Sequence, residues 1–227
     1  MSRINAIADH IRKRLKHLVR KEADQNTLQR KFTEIFYANA FGGKESKSGE
    51  GSGMEQTGAI RRELPRLLKE LNVRSVLDIP CGDWFWMRFV DLGEIDYVGA
   101  DIVNALVDAN RRRFQRPQRT FQLLSVVEDP LPNVDLILCR DLLVHLNFTD
   151  CRKAIMNMKR SGSRYLLTTT FANRDSNEEL CGLWRPLNLE VPPFNLPKRL
   201  FLLNEGCTEY DNAFTDKSLG LWKLEDL

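Results

Sequence analysis

The chain has 227 residues, of which 42% are hydrophobic, 9% aromatic and 29% charged. This is the composition of a globular protein, and it excludes a disordered chain, a collagen-like fibre and a coiled-coil fibre. No stretch approaches the ~20 apolar residues of a membrane span, and the first residues lack the apolar core of a secretory signal. The five cysteines include no Cys-x-x-Cys pair. That predicts reduced thiols in a cytoplasmic protein, with neither a disulfide framework nor a metal site.

The charge is distributed unevenly along the chain. The net charge is +3, from 34 basic and 31 acidic residues, but residues 11–21 contain six basic residues and no acidic one. The remainder has 28 basic and 31 acidic residues, or −3. A domain that binds nucleic acid usually spreads positive charge over its binding surface, so this distribution argues against a nucleic-acid partner.

The basic segment is predicted to form an amphipathic helix, because apolar residues recur at three- and four-residue spacing between positions 4 and 19. Two interpretations of its basic face remain open. The face is either the solvated side of a docking helix or, through residues 4–21, a contact for an anionic membrane surface or another partner.

From about residue 58 onward, helical and strand-like runs alternate, as in a parallel sheet covered by helices. The predicted helices span residues 62–71, 84–90 and 103–113, with a fourth beginning near Thr149. The predicted strands span residues 75–79, 97–101, 120–124, 134–139, 164–170 and 219–224. This pattern predicts one doubly wound α/β domain over residues 58–227, with a mostly parallel sheet. A helical extension and a Gly/Ser-rich segment over residues 1–57 precede it.

The Gly/Ser-rich segment, residues 42–58, holds six of the 13 glycines. It does not match a Walker phosphate loop, because Ala38 stands where that loop needs Gly and Glu45 where it needs Ser or Thr. Two interpretations are possible. The segment is a flexible surface loop or a lid that closes over a site at the sheet edge.

Polar residues follow three of the predicted strands, at the edge where open α/β sheets bind ligands. After the first strand, Gly82 would let a ligand approach the backbone, and the predicted helix would present free N–H groups. The second strand ends in Asp101, whose carboxylate can accept hydrogen bonds from both hydroxyls of a ribose. The fourth is followed by Asp141 and His145. Together they predict a ligand that contains a nucleoside.

In these segments the sequence resembles the class I S-adenosylmethionine-dependent methyltransferases, over about residues 58–172. The stretches VLDIPCGDW, YVGADI and VDLILCRDLLVHL stand where that family has its Gly-rich loop, its acidic ribose ligand and its fourth-strand motif. Ser46, Ser48, Gly49, Gly51 and Ser52 match the SxSGxGS-like loop of a bacterial-type subgroup. The resemblance implies a seven-stranded Rossmann-like sheet, S-adenosylmethionine as cofactor and S-adenosylhomocysteine as product.

The resemblance also implies which residues contact the cofactor. They are Asp78, Pro80, Cys81, Gly82, Asp83, Trp84, Asp101, Ile102, Ser125, Val126 and Arg140. Pro80 and Trp84 replace two glycines of the family's loop, which predicts a reshaped turn. Ser125 lies near a position that is often acidic in the family, so recognition of adenine would depend on backbone and hydroxyl groups. Arg140 has a second interpretation as a structural ion pair, and Trp84 as a core residue.

An oxygen acceptor in a methyl transfer benefits from a base and must be held close to the methyl group. His145 is the one histidine in the predicted α/β domain, and Asp141 would share a helical face with it if that helix starts early enough. We predict that His145 takes the acceptor's proton while Asp141 orients the acceptor or the imidazole. Alternatively, His145 packs between helix and sheet, and Asp141 caps the helix.

Family members build the acceptor wall after the fifth strand. We therefore assign Trp184, Arg185 and Asn188 to the acceptor side, together with Glu45, Ser46 and Ser48 of the Gly/Ser-rich segment. Residues 191–194 (VPPF) lack the polar first residue of the amino-group methylase motif, which argues against nucleobase N-methylation.

These observations predict O-methylation of a small-molecule or glycan-like acceptor. Two alternatives remain. In one, the acceptor is RNA or protein and the basic helix acts as a tether. In the other, the chain is a catalytically silent binding module, as the replacement of two loop glycines suggests.

Overall fold

The computed structural model describes residues 27–227, so the predicted helix over residues 4–19 lies outside the described residues. Its seven strands are β1 Ser75–Asp78, β2 Asp96–Asp101, β3 Arg119–Leu123, β4 Leu136–Cys139, β5 Tyr165–Phe171, β6 Phe201–Asn204 and β7 Lys217–Lys223. They form one sheet in the order β3-β2-β1-β4-β5-β7-β6. The strands β1 to β5 are parallel, and β7 runs antiparallel to β5 and β6. The prediction of a doubly wound, mostly parallel, seven-stranded sheet is confirmed.

The helices are α1 Thr27–Ala38, α2 Gly58–Glu70, α3 Asn104–Phe114, α4 Phe148–Arg160 and the short α5 Glu209–Asn212. Three of them, α2 to α4, lie within a few residues of the predicted positions. The predicted helix over residues 84–90 is wrong, because only a 3-10 turn, Met87–Phe89, forms there.

The apolar spacing in that segment has another cause. Gly82 and Trp84 both have positive φ angles, 54° and 56°, so the chain leaves β1 through a left-handed turn. Trp84, Trp86, Met87 and Val90 are all buried in the core. These loop side chains pack into the core at separations that include three and four residues, so their pattern in the sequence imitates the period of a helix.

Strand β6 was not located from the sequence. It lies at the edge of the sheet, and of its four residues only Leu203 is buried. So short and exposed a strand leaves no apolar run or alternation that a sequence pattern could detect.

The two central strands, β1 and β4, are buried on both faces, which explains their continuous apolar runs. Val76, Leu136 and Leu138 pack in a cluster with α2. Their neighbours Leu77 and Ile137 pack in a second cluster with α4. Alternation of side chains along each strand thus builds a core on either side of the sheet.

The order of the strands reverses between β1 and β4, since the chain passes from β1 to β2 on one side and from β4 to β5 on the other. A crevice forms at such a switch point, beyond the carboxyl ends of the strands. Helix α1 and the Gly/Ser-rich segment pack over this crevice. Lys31 donates to the His145 carbonyl (3.2 Å), and Arg140 donates to the Gly51 carbonyl (2.8 Å).

The domain boundary at residue 58 stays a prediction.

Candidate functional site

Two neighbouring cavities occupy the crevice. The first, which we call the strand-edge cleft, has about 870 Å3 of empty space, part of it open to solvent. The second, which we call the aromatic pocket, has about 900 Å3 and is lined by Phe171, Trp184, Tyr210 and Phe214 among others. Four residues line both cavities: Phe41, Ser48, Asp141 and His145. The cavities are therefore adjacent along this shared border.

Most of the residues predicted to contact a cofactor line the strand-edge cleft. They are Asp78, Pro80, Cys81, Gly82, Asp83, Asp101, Ile102 and Arg140. Trp84 does not, since it is 3% exposed in the core and its indole N–H donates to the Tyr97 hydroxyl (3.0 Å). Trp86 lines the cleft instead.

The turn after β1 is shaped by Gly82. Its N–H donates to a carboxylate oxygen of Asp101 (3.0 Å), and its carbonyl accepts from Asn110 (2.8 Å). A Cβ at this position would lie 2.1 Å from Ser48 Oγ. Glycine therefore makes room here for the Gly/Ser-rich segment. Because no α-helix follows, the predicted array of helix N-terminal N–H groups is absent from this turn.

The Gly/Ser-rich segment is tied to the same turn. One oxygen of Asp83 accepts from the Ser46 hydroxyl and the other from the Lys47 N–H, both at 2.8 Å. Ser48 and Ser52 line the cleft from above. Glu45 accepts from the Met54 N–H (2.9 Å), a contact within the segment. The structure thus places the segment over the cleft, and its movement as a lid stays a prediction.

Two buried carboxyl groups form the floor of the cleft. Asp101 accepts from the N–H groups of Gly82 and Val103, and burial raises its pKa to about 6. Asp78 accepts from the Tyr97 hydroxyl. Burial raises the pKa of Asp78 to about 7, with the Tyr97 hydrogen bond opposing and the nearby Asp101 adding to the rise. Each carboxylate oxygen has two lone pairs, so Asp101 can accept further hydrogen bonds.

A smaller cavity of about 320 Å3 adjoins the cleft and is lined by apolar side chains together with Ser125. Val126 and Ile102 belong to its lining. The hydroxyl oxygen of Ser125 is buried and has no hydrogen-bond partner among residues 27–227. An unpartnered polar atom in a buried position calls for an explanation, and a bound ligand is one.

Asp141 lies directly after β4 with a φ of 53°. Its carboxylate accepts from Lys217 (2.8 Å) and from the Thr169 hydroxyl (3.2 Å). Burial by itself would raise the pKa of Asp141, but the charges of Arg140 and Lys217 outweigh burial and hold it well below the usual range. Asp141 is therefore ionised at neutral pH.

His145 ends a 3-10 turn, Leu143–His145, and its ring lies 4.7 Å from that of Phe41. Its Nδ1 is 2.6 Å from the Leu183 carbonyl oxygen. Because a carbonyl only accepts hydrogen bonds, we assign the proton to Nδ1, which leaves Nε2 with a free lone pair in the neutral ring. Burial lowers the pKa of His145, and the Leu183 hydrogen bond and the charge of Asp141 oppose that shift.

The predicted relation between Asp141 and His145 needs correction. They do not share an α-helical face, because α4 begins only at Phe148. Nor does Asp141 cap this helix, since the N-cap is Asn147, whose side chain accepts from the Asp150 N–H (2.8 Å). Asp141 and His145 have in common that both line the border shared by the two cavities.

Comparison with known proteins bears on this geometry. No protein-family model and no curated protein sequence matches the chain. Among solved structures, human N-acetylserotonin methyltransferase in complex with S-adenosylmethionine is similar at a TM-score of 0.57 and 12% identity, over 85% of this chain and 58% of that one. Magnesium protoporphyrin IX methyltransferase from Synechocystis PCC 6803 is similar at 0.51 and 13%, over 73% and 79%. An S-adenosylmethionine-dependent methyltransferase from Clostridium acetobutylicum ATCC 824 is similar at 0.51 and 12%, over 74% and 91%.

The chain has the class I S-adenosylmethionine-dependent methyltransferase fold. The family resemblance is thereby confirmed at the level of the fold. The chain spans less than two thirds of the length of some structures that it matches, the human enzyme included. The narrower resemblance to a subgroup with an SxSGxGS-like loop stays a prediction.

Within this methyltransferase fold, Arg140 forms a structural ion pair. Its Nη2 lies 2.7 Å from Glu205, its Nη1 lies 3.2 Å from Asp141, and it also donates to Gly51. All three partners of the Arg140 guanidinium are therefore groups of the protein. The interpretation of Arg140 as a structural ion pair is the one that its contacts support.

Of the residues predicted for the acceptor side, some line a cavity and others contact only groups of the protein. Trp184 lines the aromatic pocket and Ser48 lines both cavities, whereas Ser46 is bound to Asp83. Arg185 is buried and donates to the Val144 carbonyl (3.0 Å), and Asn188 donates to the Arg174 carbonyl (2.7 Å). These last two hold the backbone behind the pocket and do not line it.

Three charged residues were not predicted from the sequence: Glu209 and Lys217, which line the aromatic pocket, and Glu205, which is buried behind it. Lys217 lies 2.8 Å from Asp141, 3.6 Å from Glu205 and 3.7 Å from Glu209. The one available signal was a lysine two residues before the predicted strand over residues 219–224, and the observed strand β7 begins at that lysine. Its partners Glu205 and Glu209 follow β6, the strand that the pattern did not reveal.

Residues 27–227 contain neither a candidate membrane span nor a candidate metal site. No helix in this range is long and apolar enough to cross a membrane. Within the same range, no three or more His, Cys, Asp or Glu side chains are grouped as they would be to hold a metal ion.

Proposed function

We propose that the chain is an S-adenosylmethionine-dependent methyltransferase that methylates an oxygen of a small-molecule or glycan-like acceptor. The observation that carries this proposal is the pair of adjacent cavities with His145 and Asp141 on their shared border. One cavity has groups suited to a nucleoside, and the other is open to an acceptor. The fold is the one that known methyltransferases use.

The residues of the strand-edge cleft fit the cofactor. Asp101 would accept hydrogen bonds from the ribose hydroxyls, and the unpartnered Ser125 hydroxyl would bond to the adenine. When bound, the cofactor supplies a methyl group on a positively charged sulfur.

His145 would take the proton from the acceptor hydroxyl. Its lowered pKa keeps the imidazole neutral at pH 7, so that Nε2 can accept a proton. Asp141 stays ionised beside it and would stabilise the imidazolium that results. Lys217 and Thr169 fix the Asp141 carboxylate in place.

Calorimetric titration with S-adenosylmethionine and with S-adenosylhomocysteine tests the proposal. We expect the wild type to bind both and Asp101→Ala to bind about 10–100-fold more weakly, as is usual when a hydrogen bond to a charged group is lost. Asp96→Ala, at the exposed opposite end of β2, is the matched control and should bind as the wild type does.

A thermal scan shows whether each variant is folded, and it gives a second measure of binding. About 100 times the dissociation constant of ligand should stabilise the wild type by about 2.7 kcal/mol. A folded wild type that binds neither compound would overturn the proposal in favour of a catalytically silent module.

A further inference from the structure

The walls of the aromatic pocket are rings in mutual contact. The ring of Phe214 lies 4.9 Å from Trp184 and 5.6 Å from Tyr210, both edge to face, and Phe171 stacks on Trp184 at 6.4 Å. Trp184 and Phe214 are half-buried, and Tyr210 is 66% exposed. Rings that remain partly open to solvent in a concave site offer apolar faces to a flat ligand.

The charged lining of the same pocket is acidic. Among residues 27–227, three carboxylates line it, those of Glu50, Asp141 and Glu209, against a single cationic side chain, Lys217. Burial lowers the pKa of His145, so its ring adds no positive charge at neutral pH. The ion pair of Arg140 and Glu205 behind the pocket is neutral as a unit.

Lys217 is not available to an incoming anion. It lies within 4 Å of three carboxylates, those of Asp141, Glu205 and Glu209. A carboxylate or phosphate on the acceptor would have to displace one of them. A cation would instead meet the faces of electron-rich rings and Glu209, which is 22% exposed and, at 3.7 Å, is the most distant of the three carboxylates from Lys217.

We infer that the acceptor is a small molecule that carries a protonated amine beside a flat apolar face, and that Glu209 and Trp184 recognise these two features in the aromatic pocket. This inference rests on the proposed function, because it names the acceptor class for that reaction. Glu209 binds the ammonium group and Trp184 stacks on the flat face. The hydroxyl to be methylated then lies toward the border with the strand-edge cleft, where His145 and Asp141 are placed.

Three phenols that differ in charge test this inference: tyramine, 4-ethylphenol and 4-hydroxyphenylacetate. Their dissociation constants are measured by calorimetry on the protein saturated with S-adenosylhomocysteine, and again without it. We expect tyramine to bind at least about tenfold more tightly than 4-hydroxyphenylacetate, with a preference that weakens as salt is added. Equal binding, tighter binding of the anion, or no binding of any probe would overturn the inference.

Variants of Glu209 and Trp184 test which side chains cause the preference for tyramine. Glu209→Gln should remove most of the difference between tyramine and 4-ethylphenol, while Glu94→Gln, an exposed carboxylate outside the pocket, should leave it unchanged. Trp184→Ala should weaken all three probes, and Trp184→Phe should restore most of their affinity. If the preference persists unchanged in Glu209→Gln, the assignment of Glu209 is wrong.

The two proposals fail separately. S-adenosylhomocysteine that binds without any preference for tyramine leaves the proposed function standing and refutes the acceptor class. A folded protein that does not bind S-adenosylhomocysteine refutes the proposed function whatever the phenols do.

Discussion

At the scale of single residues, His145 and Asp141 differ in their charge at neutral pH. Asp141 is kept ionised by Arg140 and Lys217, whereas burial keeps His145 neutral. A neutral imidazole beside a fixed carboxylate is suited to accept a proton near pH 7. The same pair would be a poor proton donor, because the neutral His145 ring carries no proton on Nε2.

The pH profile of turnover tests the role of His145. Its pKa lies below the ordinary value of 6.5, and the neutral form is the active base, so wild-type kcat should fall only as the pH drops below that value. His145→Gln should lower kcat by about 100-fold or more. Affinity for S-adenosylhomocysteine is the control and should change little. Undiminished turnover of His145→Ala between about pH 6 and 9 would show that His145 is not the base.

Asp78 gives a pH-dependent contribution to stability. Its folded pKa of about 7 lies above its ordinary value of 3.8, so the wild type loses stability as the pH rises through this window and the carboxyl group ionises while buried. Asp78→Asn lacks this loss. The free energy of unfolding of the variant, relative to the wild type, should therefore increase from pH 5 to pH 7 by up to about 1.4 kcal/mol per pH unit.

Urea titrations at the two pH values measure this difference without any ligand. Asp96→Asn, at the exposed start of β2, is the matched control and should show the same stability relative to wild type at both. A difference for Asp78→Asn that does not change with pH would mean that Asp78 keeps an ordinary pKa.

At the scale of elements, the Gly/Ser-rich segment and the turn after β1 form one unit. Asp83 binds the segment through two hydrogen bonds, and Ser48 fills the space that a side chain at Gly82 would need. The roof of the cleft therefore depends on two segments more than 30 residues apart in the chain.

A double-mutant cycle tests this packing. Gly82→Ala should destabilise the fold for two reasons: its Cβ would lie 2.1 Å from Ser48 Oγ, and a φ of 54° costs an L-residue about 1–2 kcal/mol. Ser48→Gly removes the clash but not the cost of the positive φ. In urea unfolding, the double variant should therefore be more stable than the two single effects added together. Strict additivity would argue that Ser48 does not pack on Gly82.

At the scale of the whole molecule, the positive charge is concentrated in one short segment of the chain. Residues 11–21 are basic, and the rest of the chain has a net charge of −3. The acidic aromatic pocket suits the small cationic acceptor that we infer, and the chain outside residues 11–21 carries no excess of positive charge of the kind that a nucleic-acid acceptor favours.

Removal of residues 1–21 distinguishes a small acceptor from RNA or protein. For a small molecule, KM should change less than about twofold and should not respond to salt. For a macromolecule tethered by the basic segment, KM should rise steeply and in a salt-dependent way. Kinetics at low and high salt measure this. Replacing Arg12, Lys13 and Arg14 by Gln retains the chain length and serves as the matched control.

The sequence by itself determined six of the seven strands, three of the helices between and beside them, and the polar residues that follow the strands. Burial on both faces of β1 and β4 produces apolar runs that depend only on neighbouring residues, so they can be recognised locally. Asp101 and Asp141 were found for a similar reason, because the carboxyl end of a parallel strand is a defined place in the chain, whereas Asp78 was assigned through the family resemblance. Ser125 was found by the family resemblance.

Only the tertiary structure decided what surrounds those residues. Arg140 pairs with Glu205, 65 positions later, and Asp141 with Lys217, 76 positions later. Contacts over such distances leave no period or spacing in the sequence. The turn over residues 84–90 shows the opposite effect, because the spacing of its buried side chains imitates a helix where only a 3-10 turn forms. Folding brings distant side chains into one buried network, in which neighbouring charges keep Asp141 ionised and burial keeps His145 neutral.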